Sequence, residues 1–415
     1  MWKSALKQIW KNRKSNLWIF VEILVVSVLL WYCVDFLYVI IRKNVEPMGV
    51  NTEHVYRLNL GARQTNAFDR SNTDSIDYYW INPFIQVQKL VEAYPGVEAA
   101  AYYSGTGLYT QGPMFQGYTA DEKNAYGAKI RYVSKNYGKV FKVKIQEGGF
   151  TDWDIVTSPQ GAVVSPELAD SLFGSQSAIG KIFRDYYAPD LKYRTVGVSA
   201  PMKYDKYGRY EPFIYTPFNY GRFAYTVPAI AVRIKPEANV PGFAEQFMDD
   251  MKTKLNIGPY YLFGFMSYDS RSEAADIDSG ISNYVRIISG MLIFFLFIVF
   301  LGILGTFWFQ MESRRGEIGL RMALGSSRRG VLLYILLEST TLFAVAFLPA
   351  FIICLNLAHF DITYTFNDAM DYTFSRFWIT IFITALVMTG IISLGVLIPA
   401  HRASKVHPVE ALRDE

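Results

Sequence analysis

Cysteine is nearly missing from this sequence. Among 415 residues there are two, Cys33 and Cys354, both inside hydrophobic runs, and residues 42 to 286 hold none. That excludes a disulfide framework and any thiolate-based metal site in the middle of the chain. Histidine is almost as scarce: His54, His359, His401 and His407 are too scattered to suggest a zinc cluster. Charged residues make up only 19%, against 51% hydrophobic and 16% aromatic. The chain is too apolar for disorder, and the mixture fits neither an all-membrane bundle nor an ordinary soluble enzyme.

Catalytic signatures are absent as well. There is no G-x-S-x-G, no H-E-x-x-H, and no grouping of Ser, His and Asp that spacing supports. The nearest decoy is Gly174-Ser175-Gln176-Ser177-Ala178-Ile179-Gly180-Lys181-Ile182, which looks like a phosphate loop. It has one residue too many between its glycines, and Ile182 replaces the hydroxyl residue that would hold magnesium. The chain reads as a non-enzyme, and any nucleotide hydrolysis must come from another chain.

What is present is hydrophobic length. Residues 17–41, 287–309, 331–357 and 377–398 are each long and apolar enough to cross a bilayer. The first has a basic start, but its apolar part far exceeds a signal h-region and Ile40-Ile41-Arg42-Lys43-Asn44 offers no small-residue cleavage pattern, so it is expected to be an anchor. Charge sets the orientation. Residues 1–16 carry Lys3, Lys7, Lys11, Arg13 and Lys14 with no acid, and residues 311–330 carry five arginines against Glu312 and Glu317, whereas residues 42–286 balance 27 basic against 26 acidic side chains. Basic flanks belong in the cytoplasm, so both termini are expected inside and residues 42–286 outside. The local basic excess points to the membrane surface or an adjoining protein rather than nucleic acid. Glu22, Asp35 and Glu338 fall within the spans. They should not face lipid; either they move during a cycle, or they snorkel or form static helix–helix hydrogen bonds.

Residues 42–286 show short, mixed periodicity. Strands are expected at Val55 to Leu60, Lys129 to Val133, Ala162 to Ser165, Tyr193 to Val198 and Ala229 to Ile234. Asn82-Pro83 is a helix-start pair, with Phe84, Val87, Leu90 and Val91 on one face and Pro95-Gly96 as the stop; Ser165-Pro166 repeats the signal, and a further helix is expected over Phe243 to Leu255. The segment from Ser270 to Val285 is expected to run helically into the second span as half of a stalk. Twenty-four of the 29 tyrosines lie in this region, as strand residues or as a ligand surface at pairs such as Tyr186-Tyr187 and Tyr260-Tyr261. The fold class is thus a membrane protein with four transmembrane α-helices, one plus three, and a large α+β extracytoplasmic domain, big enough for two lobes, inserted between the first and second span. The remaining segments are a cytoplasmic amphipathic piece at 1–16, a cytoplasmic connection at 310–330, a short outer loop at 358–376 and a cytoplasmic tail at 399–415.

The cytoplasmic connection can form a short surface helix, with Gly325 at a left-handed C-terminal position and Ser326 or Ser327 capping the next helix. It resembles the R-x-x-E-I-G-x-R-x-A-L-G-A-S-R-R signature of MacB/FtsX-like ABC transporter permeases through Arg314, Glu317, Ile318, Gly319, Arg321, Ala323, Leu324, Gly325, Ser327, Arg328 and Arg329, with Ser326 where alanine is usual. The tail from Pro399 to Arg413 resembles the family's P-A-x-R-A-[AS]-x-x-x-P-V-x-A-L-R ending. Gly149-Phe150, Ala162 to Ser165, Ile179-Gly180-Lys181 and Val196-Gly197-Val198 are similar, more loosely, to the family's periplasmic core, which gives the phosphate-loop decoy a structural explanation.

The resemblance implies a bacterial inner-membrane permease subunit that relays the stroke of a separate cytoplasmic ATPase to its outer domain. Arg314, Glu317, Ile318, Gly319, Arg321, Leu324 and Gly325 would form the coupling helix; Glu338, by its place within a span, is expected to be an intramembrane polar contact. The resemblance further implies ATP and magnesium on the partner alone, no cofactor on this chain, a second permease subunit in a homo- or heterodimer, and a periplasmic adaptor as a candidate partner. Efflux or extraction of a peptide, a lipid-linked molecule or a toxin is the expected function. Lipoprotein release and activation of an outer hydrolase are alternatives within the class, and a membrane-anchored sensor without an ATPase is the alternative outside it.

Overall fold

A computed structural model of the chain describes residues 13–63, 77–110, 112–150, 159–218, 227–360 and 371–405. Most of the expected N-terminal amphipathic segment, the middle of the 358–376 loop and the Pro408 to Arg413 part of the tail motif lie outside the described residues. The chain divides into two compact units, one formed by Met1–Lys43 and Gly280–Glu415, the other by Asn44–Ser279.

Helix α1 (Arg13–Val45) contains the expected first span. The inserted domain runs β1 (Val55–Ala62), α2 (Asn82–Glu92), β2 (Val97–Gly105), β3 (Phe115–Thr119), β4 (Tyr126–Val133), the one-turn α3 (Tyr137–Val140) and β5 (Ile145–Gly148). It continues with β6 (Gln160–Val164), α4 (Pro166–Phe173), β7 (Ile182–Asp185), β8 (Lys192–Ser199), β9 (Phe213–Pro217), β10 (Ala229–Ile234), α5 (Phe243–Met251), β11 (Tyr260–Ser267) and α6 (Tyr268–Asp278). Four helices follow: α7 (Ile281–Ser313), the short α8 (Arg315–Ala323), α9 (Arg328–His359) and α10 (Phe374–Ala403).

The inserted domain has two lobes joined through one strand. Strands β11, β1, β10 and β2 form an antiparallel sheet in that order, with α2 connecting β1 to β2 and α5 connecting β10 to β11. This is the split β-α-β arrangement. Between β2 and β10 the chain inserts the second lobe, whose pairings close on themselves as β4-β3-β7-β8-β6-β9 and back to β4. Strand β4 joins the lobes because Lys129 and the residues before it pair with β3, whereas Arg131 to Val133 pair with β2. Closure leaves those six strands few free edges.

Local signals explain the elements. Helix α2 buries Phe84, Val87 and Val91, and Phe84 meets Tyr102 and Tyr260 edge-on at 5.5 and 5.8 Å. Ser165 caps α4 by accepting from the Leu168 amide, as the Ser-Pro pair predicts. Asn82 does not act as a cap: a single π turn, Asp77–Ile81, runs directly into α2, so Ile81 is already helical. Helix α5 stops at Met251 rather than Leu255, although Leu255 stays buried. Tyr102, Tyr103, Tyr118, Tyr132, Tyr137, Tyr193, Tyr215, Tyr260 and Tyr268 are buried and Tyr56, Tyr94, Tyr109 and Tyr126 pack against the core, so much of the tyrosine excess serves packing. Their burial also encloses Arg131, whose guanidinium lies 4.9 Å from the Phe213 ring and donates to the Thr106 carbonyl and the Tyr137 hydroxyl.

In the helical unit, Ile19, Ile23, Val26 and Leu30 of α1 pack in one core with Val299, Ile303 and Phe307 of α7, Val331 and Ile335 of α9, and Met388, Ile392, Val396 and Ala400 of α10. The three- and four-residue spacings put each set on one helix face. A Cβ at Gly395 would meet the Phe300 carbonyl oxygen and Ile303 at 3.3 Å, so glycine lets α10 approach α7 closely. The expected continuous helix from Ser270 to Val285 is interrupted: α6 ends at Asp278, Gly280 takes φ +76, and α7 starts at Ile281. Glycine reaches that left-handed geometry without the penalty a Cβ imposes, and a helix can stop there.

Two glycines test the closed lobe. Gly148 has φ +67 and an added Cβ would overlap the Val196 carbonyl of β8, whereas Gly174 has φ +64 with open space around it. Gly174→Ala should cost about 1 kcal/mol of backbone strain and Gly148→Ala roughly 2–4 kcal/mol because strain and overlap add. Thermal melts of the full chain in detergent should rank them in that order.

Candidate functional site

Helix α8 is bounded by sharp local stops. Arg314 alone separates it from α7, with φ −113 and ψ 17 outside the helical basin. At the other end Gly325 takes φ +97, its amide donates to the Met322 carbonyl at 3.1 Å, and the Ser326 amide donates to the Arg321 carbonyl at 3.0 Å. That paired closure is the Schellman motif, which satisfies two of the helix's terminal carbonyls. Ser327, not Ser326, then caps α9 by accepting from the Gly330 amide at 3.1 Å.

One face of α8 turns inward and the other outward. Ile318 and Gly319 are buried, while Leu320 is 50% and Leu324 80% exposed. Leu324 is the C-cap of α8 and its amide donates to the Leu320 carbonyl at 3.0 Å, which sets the two leucines one turn apart. Glu317 and Arg321 flank them and pair with each other at 2.8 Å, and the Arg321 guanidinium lies 4.3 Å from the centroid of the Tyr334 ring on α9. The result is a small amphipathic surface with an exposed apolar ridge.

Arg314 ties this surface to the membrane helices. Its Nη1 donates to both carboxylate oxygens of Glu338 at 2.8 and 3.0 Å, with side-chain exposures of 12% and 5%. Glu338 lies ten residues into α9, so an unpaired charge there would cost on the order of 3 kcal/mol. The expected coupling arginine and the expected intramembrane acid are therefore one interaction. A pocket of about 60 Å³ adjoins the pair, lined by Glu317, Arg321, Ser326 and Tyr334 among others.

The tail segment comes to the same place. Pro399, Arg402 and Ala403 of α10 line a pocket of about 140 Å³ with Trp308 of α7 and Arg315 and Ile318 of α8. Arg402 sits 4.7 Å from the Trp308 ring centroid. Two sequence segments about 80 residues apart thus converge on one end of the helical unit.

Of the other intramembrane acids, Asp35 is fully engaged. Arg376 Nε donates to Asp35 Oδ1 at 3.0 Å and Nη2 donates to Oδ2, with both side chains 2% exposed. One turn away Trp31 Nε1 donates to Thr380 Oγ1 at 3.1 Å, so α1 and α10 carry complementary pairs at four-residue spacing. Glu22 packs against Gly302 of α7, where a Cβ would overlap its carboxylate. Arg376 falls one residue outside the expected fourth span, and sequence reasoning missed it; the matched Trp31/Asp35 and Arg376/Thr380 spacings were the available signal.

The phosphate-loop decoy is a helix-to-strand connector. Gly180 donates its amide to the Thr195 carbonyl at 2.8 Å, Lys181 its amide to Ala178 at 3.1 Å, and Lys181 Nζ reaches Gln176 at 2.6 Å. Those amides are committed to the fold and are not free to cradle a phosphate. Tyr186 and Tyr187 are exposed, whereas Tyr260 is core and Tyr261 covers Gly61.

Two family models match the chain. A family model described as MacB-like periplasmic core domain matches residues 43–249, and one described as FtsX-like permease C-terminal matches residues 289–408. The macrolide export ATP-binding/permease protein MacB 1/2 of Paracoccus denitrificans is 24% identical over 292 residues, covering 69% of this chain and 42% of its own length. The uncharacterized ABC transporter permease YknZ of Bacillus subtilis is 23% identical over 300 residues, covering 69% of this chain and 70% of its own. The chain thus spans about two fifths of the MacB relatives it matches. The crystal structure of the periplasmic region of MacB from Actinobacillus actinomycetemcomitans aligns at 12% identity and a TM-score of 0.36, covering 56% of this chain and 98% of that one.

The Asp35–Arg376 pair yields a stability prediction. Asp35→Leu removes the buried carboxylate that Arg376 meets and should destabilise the helical unit by roughly 3–5 kcal/mol, while the double variant Asp35→Leu, Arg376→Met should recover most of that loss. Denaturation of the full chain in detergent checks the order; equal losses in the single and double variants would contradict it.

Proposed function

The chain belongs to the MacB/FtsX-like family of ABC transporter permeases, and from that membership we propose that it is the permease subunit driven by a separate cytoplasmic ATPase. The observation that carries this reading is α8, which presents the exposed Leu320–Leu324 ridge and is anchored through Arg314 to Glu338. A partner that grips the ridge gains a handle tied directly to α9.

On this reading ATP and magnesium sit wholly on the partner, since this sequence carries no nucleotide-binding signature. Closure of the ATPase around nucleotide favours one placement of α8 over another, and only that difference in contact energy can do work on the permease. Leu320 and Leu324 supply apolar area, about 1.5–3 kcal/mol for each leucine fully covered. Glu317, Arg321, Arg328 and Arg329 give the surface mixed charge, which suits a protein partner more than lipid headgroups. The exposed Glu317–Arg321 pair contributes only about 0.3–0.5 kcal/mol to the helix, so its charges serve recognition more than stability.

Orientation follows from charge: both termini and α8 are cytoplasmic, the inserted domain faces the periplasm, and the protein resides in the inner membrane. The ATPase comes as a nucleotide-sandwiching pair, so two permease subunits, identical or different, complete the machine. Efflux or extraction of a peptide, lipid-linked molecule or toxin is the proposed activity.

Co-purification with the ATPase tests the reading. Leu324→Asp should reduce both recovery of the ATPase and permease-dependent ATP turnover by about tenfold, the size expected for one lost interface anchor, without lowering the melting temperature of the permease. Glu317→Arg should act in the same direction. Unchanged assembly and turnover in both variants would contradict the coupling role.

A further inference from the structure

Residues 203–211, Lys-Tyr-Asp-Lys-Tyr-Gly-Arg-Tyr-Glu, form no helix or strand, yet almost every side chain is engaged. The loop makes three sets of contacts within the inserted domain, each to a different part of it.

The first set holds the chain just after α1. Lys203, whose side chain is fully buried, places Nζ 3.4 Å from Glu46 Oε2 and donates to the Lys206 carbonyl at 3.0 Å. The Lys203 amide donates to the Met48 carbonyl at 3.2 Å, and the Tyr210 hydroxyl donates to the Pro47 carbonyl at 2.9 Å. The second set holds the other end of the domain. Lys206 Nζ lies 3.3 Å from Asp276 Oδ2 on α6, the last helix before Gly280. The third set reaches the closed lobe. Lys129 of β4 pairs with Glu211, its Nζ sits 3.5 Å from the centroid of the Tyr204 ring, and its amide donates to the Pro212 carbonyl at 2.9 Å.

These groups are committed to the contacts. Burial pushes the Lys129 ammonium down to about 8, against the opposing pull of Asp205. Burial likewise raises the Asp276 carboxyl, with Lys206 pulling it back. Asp205 fixes the turn by accepting from the Tyr207 amide at 3.0 Å and from the Gly208 amide. A charge kept at such a desolvation cost is retained only with its partner in place.

We propose that the 203–211 loop is an ionic cross-tie: Lys203–Glu46 and Lys206–Asp276 clasp the points where the chain enters and leaves the inserted domain, and Lys129–Glu211 anchors that clasp to β4. A displacement of one end relative to the other is thereby delivered to β4, the strand shared by both lobes. The cross-tie stands on these contacts alone. Its use, as the place where a stroke enters the domain, rests on the permease reading.

Charge exchange in the full chain tests it. Lys206→Asp and Asp276→Lys should each speed amide hydrogen exchange across residues 203–211 and α6 by about fivefold, leaving β10 unchanged, and the double exchange should return the rates to within about twofold of the parent. Unchanged rates in the single variants, or no recovery in the double, would overturn the cross-tie. A second arm uses the complex with the co-purifying ATPase and a non-hydrolysable ATP analogue with magnesium. There the parent should show a nucleotide-dependent change at β4 that is lost in Lys206→Asp and regained in the double, while the change at α8 persists throughout. A β4 response that survives Lys206→Asp would overturn delivery through the loop. Silence at both α8 and β4 would count against the permease reading and against the loop's use, leaving the exchange arm to decide the cross-tie itself.

Discussion

An arginine at a helix break and a glutamate in an apolar span set the terms for the helical unit. Arg314 sits where α7 gives way to α8, and its Nη1 meets both oxygens of Glu338 on α9. Neither charge is tolerable there without the other, because the cost of an isolated ion in such surroundings exceeds what local packing recovers. The pair therefore fixes the start of α8 against α9, and the Schellman closure at Gly325 with the Ser327 cap fixes its end. A nine-residue helix held at both ends has little freedom of its own. On the proposed reading, whatever moves it moves the spans.

The three acids of the spans show how differently one residue type can be accommodated. Glu338 pairs with a residue near the end of the helical unit, Asp35 with Arg376 inside it, and Glu22 lies against the bare backbone of Gly302. The reading that these acids make static helix–helix contacts fits Asp35, whose pair is buried on all sides. Glu338 fits both readings offered by the sequence, since its partner belongs to the very segment expected to move.

Much of this was legible in the sequence, and the failures have physical causes. The spans were readable because length and hydropathy alone define them. Four of the five expected strands lie within observed ones, and Ala162 to Ser165 overruns β6 by one residue because Ser165 caps α4. Strands β1 and β8 alternate in burial, whereas β4, β6 and β10 are nearly all buried and were legible from their β-branched and aromatic residues. Strand β2, Val-Glu-Ala-Ala-Ala-Tyr-Tyr-Ser-Gly, escaped because its six consecutive buried residues leave no alternation and its three alanines, poor strand formers, stand where β10 has isoleucine and valine. Strands β5 and β7 are four residues each, too short for a periodic signal. The Asn82 cap failed because a preceding π turn already supplies helical geometry, which no local propensity announces. At the candidate site, Gly325 and the serine cap followed from backbone chemistry, and the residues of α8 followed from the family resemblance. The partnerships of Arg314 with Glu338, of Asp35 with Arg376, and of Arg402 with Trp308 did not, because they depend on helix packing that spacing within one segment cannot express.

The most direct measurement is hydrogen exchange of the α8 amides in the full chain, compared with Glu338→Gln, which keeps the shape and removes the charge. If the ion pair clamps α8, exchange over Arg315–Ala323 should accelerate by about ten- to a hundredfold, the equivalent of losing a charge-assisted bond of roughly 1.5–3 kcal/mol, with the inserted domain unaffected. Equal exchange in parent and variant would mean that α8 is held by something else, and the account of a helix geared to the spans through Arg314 and Glu338 would be wrong.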